Sequence, residues 1–391
     1  MAPDHDDEKT IPRASRHLVV IQATPFCNID CKYCYLPTRS STARIERETL
    51  KTILAQVFAH PHFAEPVHIL WHAGEPLTVP VGFYRDAFAL ASELAASLDR
   101  TFVFSLQTNA TLIDDEWIRF FRDCKVRVGV SIDGPDFIHD RNRVTRAGKG
   151  THARAMRGIV RLQEAGVPFQ AIAVLTRFSL DYPDEMFRFF VDHGIKEVGF
   201  NIDELEAAHQ TSSFGEPALS GLPDGVAAYR AFIRRFLELI FAHPGSLAVR
   251  ELQRMSGRLI GGTGHIHNST AIPMDIITFD YKGNYTTFCP ELSASRSERF
   301  GDFVMGNVAE RPIADLWSSP VFQDVYAEIR SGLERCKATC PYWSVCGGGN
   351  QSNKFSEHGR FDVTETIYCR INVKALADET LAFLEAQAAT A

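Results

Sequence analysis

The stretch HLVVIQATPFCNIDCKYCYLP, residues 17–37, runs from an apolar β-strand pattern directly into three cysteines. Cys27, Cys31 and Cys34 have the spacing C-x3-C-x2-C and follow the strand at its carboxyl end. Thiolates this close can converge on one metal, but structural zinc sites take four ligands, usually in C-x2-C pairs, and no fourth ligand is evident nearby. A [4Fe–4S] cluster has four irons, so three cysteines would leave one iron open for a substrate or cofactor.

The chain around this stretch has an ordinary globular composition. Its 391 residues exceed the roughly 250–300 at which a single core stops growing, so we expect more than one domain. The first 16 residues are polar and acidic, and no run of about 18 apolar residues occurs, which predicts neither a signal peptide nor a membrane span and favours a cytoplasmic protein. A net charge of −7 with interspersed signs argues against nucleic acid as the main partner.

Strand and helix patterns alternate from residue 17 to about 203. Six short apolar runs are rich in β-branched and aromatic residues, and amphipathic helical patterns separate them. The runs are HLVVIQATPF, PVHILWH, TFVFSLQTN, VRVGVSID, FQAIAVLT and EVGFNID. This repetition predicts a parallel α/β sheet with right-handed crossovers, either doubly wound or an incomplete barrel. In both architectures the functional site lies at the carboxyl ends of the strands.

Beyond residue 203 the pattern changes. A Gly/Pro/Ser-rich connector at 211–224 precedes a helical pattern at 223–243, and IITFDYKGNYTTFC predicts a hairpin that turns at 282–284. Four cysteines follow between 336 and 369, and ALADETLAFLEAQA predicts a closing helix. We therefore expect a disordered tail at 1–16, an α/β domain with its following helix at 17–250, and a cysteine-bearing domain with the closing helix at 251–391.

The nine cysteines, an odd number in clusters, indicate metal ligation before disulfides in a reducing compartment. Cys124 stands alone after a helical pattern and is interpreted as a buried structural thiol. For Cys289, in TTFCPE, two interpretations stay open: a core thiol or a residue facing a substrate channel.

With an aromatic residue, Tyr33, before its third cysteine, the first triplet resembles the radical S-adenosylmethionine (SAM) enzymes. The resemblance implies a partial (β/α)6 TIM-like barrel. It also implies a [4Fe–4S] cluster whose open iron binds the amino and carboxylate groups of SAM. Electron transfer would then cleave SAM to methionine and a 5′-deoxyadenosyl radical.

Motifs at three later strand ends add to this resemblance. WHAGEP (71–76) resembles the family's G-G-E-P element with alanine in place of the first glycine, QTNAT (107–111) its Q-T-N-G-T, and SIDGP (131–135) its S-x-D-G-P. The resemblance assigns a glycine and a glutamate to the SAM amino group, a serine to the ribose or carboxylate region, and an arginine fork to the carboxylate. Each motif could instead form an ordinary turn, and the arginine could be solvated. The cofactor-binding candidates are Tyr33, Gly74, Glu75, Asn109, Ser131, Asp133 and Arg143.

The second cysteine group resembles the SPASM extension of peptide-modifying radical enzymes, with one residue added in its first spacing. The resemblance implies that four cysteines close one auxiliary [4Fe–4S] cluster, although structural zinc is an alternative for them. A second auxiliary cluster would need Cys289, an upstream cysteine and a cysteine at 350. Asn350 stands at that position and no cysteine lies between 124 and 289, so we predict that this cluster is absent. The auxiliary ligands are Cys336, Cys340, Cys346 and Cys369.

Within the SPASM group, the sequence most resembles maturases that form cyclophanes in ribosomally made peptides with glycine-rich or aromatic repeats. This implies a precursor peptide with aromatic residues, an oxidative bond from a side-chain Cβ to an aromatic ring, and a reductant such as flavodoxin or ferredoxin. Asp203 or Glu204, at the end of the sixth strand pattern, is the candidate base, although both could be solvated or salt-bridged.

Three other functions stay open. Two are enzymatic: thioether formation, and sulfatase-type oxidation of serine or cysteine to formylglycine. In the sulfatase-activating relatives an acidic base follows the cysteine that corresponds to Cys289, whereas Pro290 follows it here. The third is a zinc-stabilised binding protein without catalysis. No membrane or nucleic-acid partner is expected, and no winged-helix leader-binding domain fits in the 16 residues before the first strand.

Overall fold

The computed structural model describes residues 17–214, 224–261 and 266–390. The expected tail at 1–16, most of the connector at 211–224 and part of the loop at 261–270 lie outside these residues. Ten strands form one mostly parallel sheet, and two short strands pair separately. In chain order the strands are β1 (Leu18–Ile21), β2 (Asp30–Cys31), β3 (Val67–Trp71), β4 (Phe102–Thr108), β5 (Arg127–Ser131), β6 (Arg143–Val144), β7 (Phe169–Leu175), β8 (Glu197–Ile202), β9 (Ala248–Val249), β10 (Ile276–Phe279), β11 (Asn284–Thr287) and β12 (Gly306–Asn307).

Helices cover the sheet and form most of the C-terminal part. In chain order they are α1 (Arg47–Ala59), α2 (Val81–Ser97), α3 (Asp115–Asp123), α4 (Asp136–Asn142), α5 (His152–Glu164), α6 (Pro183–Asp192), α7 (Gly225–Ala242), α8 (Arg250–Ile260), α9 (Pro320–Thr339), α10 (Trp343–Cys346), α11 (Gln351–His358) and α12 (Leu376–Thr390). A π-helical segment, Cys369–Ala375, leads directly into α12. None of the described helices is long and apolar enough to span a bilayer.

The predicted α/β class is confirmed, since the six expected strands are β1, β3, β4, β5, β7 and β8, all parallel neighbours in that order. Local sequence accounts for the elements between them. In α3, for example, Asp114 caps the first turn by accepting from the amides of Glu116 (2.9 Å) and Trp117 (3.0 Å). One face of the same helix then buries Trp117, Phe120 and Phe121 against the sheet.

The sheet continues into the C-terminal part of the chain. β10 pairs in parallel with β1, in the register Leu18 to Ile276, and in antiparallel with β11, which gives the predicted hairpin. Its turn contains Gly283 at φ 84°. The barrel and the hairpin that leads into the cysteine-bearing part therefore share one sheet.

Candidate active site

The three cysteines of the loop after β1 face one cavity of about 450 Å³ at the carboxyl edge of the sheet. β2 and β6 pair in antiparallel and hold this loop, with Cys31 directly opposite Arg143. The amide of Cys34 donates to the carbonyl of Cys31 at 3.3 Å, which turns the chain back toward Cys27. The structure thus brings the C-x3-C-x2-C thiols together, as its spacing predicts.

The surroundings of these thiols suit an iron–sulfur cluster. Burial raises the pKa of Cys27 and of Cys31 to about 12, so the bare thiols would be protonated, whereas a coordinating metal removes the proton. The side-chain amide nitrogen of Asn109 (Nδ2) lies 3.9 Å from the Cys27 sulfur, and Arg143 Nη1 lies 3.9 Å from the Cys31 sulfur. These N–H groups and the positive charge would stabilise an anionic centre with thiolate ligands.

Arg143 is not a solvated arginine. Its side chain is 8 % exposed, and its Nε lies 3.1 Å from Oδ1 of Asp133, which is fully buried. Tyr33 donates its hydroxyl hydrogen bond to the other Asp133 oxygen, and the amide of Val174 donates to Oδ1 at 3.0 Å. Asp133 therefore fixes Arg143 and Tyr33 beside the second cysteine, and their contact with SAM stays a prediction.

Gly74 and Glu75 connect the cysteine loop to the ends of β3 and β4. A Cβ on Gly74 (φ 88°) would lie 2.3 Å from the carbonyl oxygen of Thr24, so only glycine permits this approach. Glu75 is buried and accepts from Leu77 N (3.0 Å), Thr108 Oγ1 (2.6 Å) and Asn109 N (2.8 Å). Burial raises its pKa to about 7. A contact with the SAM ammonium would come in addition to these three bonds.

The remaining cofactor candidates lie on the same cavity. Gln107 donates to Ser131 at 3.0 Å, which orients the serine hydroxyl at the end of β5. Asp133 does not itself line the cavity, but it binds Arg143 and Tyr33, which do. The predicted residues that line the cavity are Tyr33, Gly74, Glu75, Asn109, Ser131, Arg143, Asp203 and Glu204.

The cavity is also lined by three carboxyl groups that we name the glutamate cluster: Glu204, Glu206 and Glu291. Burial raises the pKa of each, and the negative charge of Glu291 adds to the effect on the other two. Asn353 donates to Glu204 at 2.7 Å and holds its orientation. Sequence analysis missed Glu206 and Glu291, although Glu206 follows Glu204 by two positions and Glu291 follows the Cys-Pro pair.

Asp203 has a different environment from the glutamate cluster. It is 6 % exposed, and its Oδ1 lies 2.7 Å from Nε2 of His209. Its Oδ2 accepts from the amide of Ser213 at 2.9 Å. Both oxygens therefore hold the loop after β8, which leaves Glu204 as the better of the two predicted bases.

The four later cysteines surround a second, smaller cavity. Cys336 lies in the last turn of α9, Cys340 caps that helix, Cys346 ends α10 and Cys369 begins the π-helical segment. The sulfur of Cys346 accepts from an amide at 3.1 Å. Lys354 is 2 % exposed and lines the same cavity. A buried cation beside four thiols fits a closed, anionic iron–sulfur cluster.

Cys289 lies between the two cavities and is 1 % exposed. Its sulfur lies 3.4 Å from Oδ1 of Asn350. The same amide oxygen accepts from Ser352 N at 2.9 Å and caps α11. Two of the positions that a second auxiliary cluster would use, 289 and 350, thus contact each other directly.

Family comparisons agree with this geometry. Residues 21–204 match the model of the radical SAM superfamily, and residues 272–341 match the SPASM model of an iron–sulfur cluster-binding domain. The chain is therefore a radical SAM protein with a C-terminal SPASM domain. These domains imply [4Fe–4S] clusters and SAM as cofactors.

The chain belongs to the same family as the uncharacterized protein sll1766 of Synechocystis sp., with 39% identity over 372 residues, 94% of this chain and 92% of that one. The serine-type anaerobic sulfatase-maturating enzyme of Bacteroides thetaiotaomicron is 36% identical over 193 residues, 47% of this chain and only 45% of that enzyme. The solved structure of native anSMEcpe, with bound AdoMet and Cp18Cys peptide, has TM-score 0.76 and 19% identity over 95% of this chain and 99% of that one. This likeness supports the fold.

Proposed function

We propose that the chain is a radical SAM peptide maturase that crosslinks a ribosomally made precursor peptide between a side-chain Cβ and an aromatic ring. One observation carries the proposal: a single cavity is lined both by the three thiols of the cysteine loop and by the three carboxyl groups of the glutamate cluster. A cavity of about 450 Å³ lies within the size range of small-molecule sites. The peptide bound to anSMEcpe supports a peptide as the substrate.

The reaction removes two hydrogens from the peptide and forms one carbon–carbon bond. SAM bound at the three cysteines would supply a 5′-deoxyadenosyl radical, which takes one hydrogen atom from the Cβ. After the carbon radical has attacked the ring, one proton and one electron must leave to restore aromaticity. Glu204 accepts the proton, and the four later cysteines hold the electron acceptor.

Glu204 is suited to accept the proton because it lies in a desolvated wall and its pKa is raised above the ordinary carboxyl value. Asn353 fixes the carboxylate at 2.7 Å. The side chain of Glu206 is hydrogen-bonded to that of Glu204, so the two can share the proton once it has been transferred. Gly74 and Glu75 would bind the SAM amino group. Ser131 would contact the ribose or carboxylate region of SAM, and Arg143 would pair with its carboxylate.

Cys336, Cys340, Cys346 and Cys369 would hold one auxiliary cluster, with no second one beside Cys289. An external reductant such as flavodoxin or ferredoxin would supply the electron that starts the reaction. The contact of Cys289 with Asn350 supports the lower count, because the helix cap occupies the place where a further thiolate would be needed.

Replacing Lys354 by methionine tests the place of the auxiliary cluster. Removing a buried positive charge beside the cluster makes its reduction less favourable, so the midpoint potential should fall by on the order of 50–100 mV. A redox titration followed by electron paramagnetic resonance measures this shift. Lys374→Met is the matched control, since that side chain is 27 % exposed and already paired with Glu365, and a smaller shift is expected. Equal potentials in both variants and the wild type would place the cluster elsewhere.

Sulfatase-type oxidation is the second candidate function. The similarity to sulfatase-maturating enzymes favours it, and the same glutamate could accept the proton from an oxidised serine or cysteine. Thioether formation would use the same radical and base, with a cysteine sulfur in place of the ring. The three candidates differ in the product and not in the site.

Anaerobic co-expression with a candidate precursor peptide that contains aromatic residues tests the function directly. Tandem mass spectrometry of the peptide should show a loss of two hydrogens for each crosslink and a gap in fragmentation across the joined residues. Oxidation of serine to formylglycine also removes two hydrogens, but its aldehyde reacts with a hydrazide and fragmentation stays complete. A hydrazide adduct would support sulfatase-type oxidation instead of crosslinking. Co-expression with the Cys31→Ala variant is the negative control, in which the peptide should stay unmodified.

A further inference from the structure

A histidine–aspartate group lies at the edge of the sheet opposite to the cysteine loop. His17 immediately precedes β1, and Asp275 immediately precedes β10. Because these strands are parallel neighbours, the two residues lie side by side at the amino ends, where Leu18 N donates to the Asp275 carbonyl at 2.8 Å. This group therefore lies outside the site that the proposed function uses.

A third member comes from the connector between α1 and β3. The imidazole rings of His17 and His62 have centroids 5.1 Å apart, at 54° to each other. One ligand-type atom each of His17, His62 and Asp275 lies within 4.8 Å of the other two. Three segments far apart in the sequence thus bring two imidazoles and one carboxylate to a single point.

The distance between His17 and Asp275 suits ligands of a shared cation better than a direct hydrogen bond. His17 Nδ1 and Asp275 Oδ1 are 3.8 Å apart, which is too long for a hydrogen bond. Ligands bound to zinc at about 2.0–2.1 Å in tetrahedral geometry lie about 3.3 Å from each other, so small side-chain rotations would close the site. His17 is 4% exposed and Asp275 is fully buried. A bound cation would therefore stabilise the buried carboxylate.

A fourth residue holds the carboxylate in place. Nε2 of His267 lies 2.5 Å from Oδ2 of Asp275, the oxygen that does not face His17. Such support of a ligating carboxylate is common around protein metal sites. His267 is 37 % exposed and His62 is half-buried, so an ion could enter from this side.

We propose that His17, His62 and Asp275 bind one divalent transition-metal ion, with Zn²⁺ as the expected metal. Two imidazoles and one carboxylate form a donor set that such ions prefer. The ion would join the first strand of the barrel to β10, and hence to the cysteine-bearing part of the chain. Its role would be structural and independent of the proposed peptide chemistry.

The test compares His62→Ala with His60→Ala in the anaerobically reconstituted holoenzyme. His60 belongs to the same connector and its ring lies edge-on to that of His62, with centroids 6.4 Å apart, but it is not part of the ligand group. After zinc addition and desalting, mass spectrometry of the elements should find about one zinc per chain in the wild type and in His60→Ala, and none in His62→Ala. Iron measured in the same samples should stay equal, which excludes zinc at the cluster cysteines.

Thermal unfolding provides the second readout. Zinc should raise the Tm of the wild type and of His60→Ala but not that of His62→Ala, because only a folded site binds the ion. Asp275→Asn, which keeps the shape of the side chain, should also lose zinc and covers the case in which His62→Ala does not fold. Equal zinc content in the wild type, His62→Ala and Asp275→Asn, or no zinc in the wild type, would overturn the proposal.

Discussion

Replacing Cys27, Cys31 and Cys34 together by alanine should lower the iron content from about eight to about four atoms per chain and abolish SAM cleavage. The three thiols are held on one loop at the carboxyl end of β1, and among the residues that the structure describes no other thiol lines their cavity. Without them the cofactor has no iron to bind, so neither 5′-deoxyadenosine nor modified peptide should form. Iron analysis and chromatography of the anaerobic reaction measure both losses.

The Cys289→Ser variant is the matched control for this experiment. Serine keeps a donor for Asn350, and Cys289 lies outside both proposed ligand sets. Its iron content should therefore remain at about eight per chain. A wild-type value near twelve, falling toward eight in Cys289→Ser, would show that a second auxiliary cluster exists and that Cys289 binds it.

The sequence suffices to predict the elements of this site that lie close together along the chain. The C-x3-C-x2-C spacing and the apolar run before it place three thiols at a strand end, because both are local properties of one segment. The same holds for the six strand patterns, whose parallel order follows from the helices between them. The candidate SAM-binding motifs at the ends of β3, β4 and β5 lie close together because these strands are parallel neighbours.

Contacts between distant segments could not be predicted in this way. The glutamate cluster joins the loop after β8 to a residue that follows β11, and no periodicity links the two. The histidine–aspartate group likewise depends on the pairing of β1 with β10 across most of the chain. Only the register of the folded sheet brings these side chains together.

One long helix was missed although its signals are local. α9 spans 20 residues, starts at Pro320 and buries Phe322, Val325 and Ile329 at helical spacing. Its last turn carries the first auxiliary cysteine, so the spacing of 336 and 340 is that of one helical turn. The family's spacing C-x2-C is C-x3-C here. With the added residue, Cys336 lies inside the helix and Cys340 lies at its C-cap.

Changing Glu204 to glutamine should reduce formation of the crosslinked peptide by about 10²–10⁴-fold, the usual contribution of a general base. Formation of 5′-deoxyadenosine should continue, because hydrogen abstraction precedes proton loss. Glutamine keeps the hydrogen-bond acceptor for Asn353, so the cavity wall is preserved. The ratio of product to 5′-deoxyadenosine, measured in one reaction, therefore separates loss of the base from loss of the fold.

The pH dependence of this variant strengthens the test. Because burial raises the pKa of Glu204, product formation by the wild type should increase as the pH rises through that value, and Glu204→Gln should lose this limb. Stability should change in the opposite direction. A carboxyl group whose pKa is raised by folding stabilises the protein below its ordinary pKa, and this contribution is lost as the pH rises. Glu204→Gln should thus have the higher Tm at alkaline pH.

Asp203→Asn distinguishes the two predicted bases. The asparagine oxygen can still accept from Ser213, and the change leaves the glutamate cluster intact. We expect product formation to fall less than about tenfold and the alkaline limb to remain, since the proton would still go to Glu204. If instead Asp203→Asn removes the limb and Glu204→Gln keeps it, the base is Asp203, and the buried glutamates serve to shape the cavity.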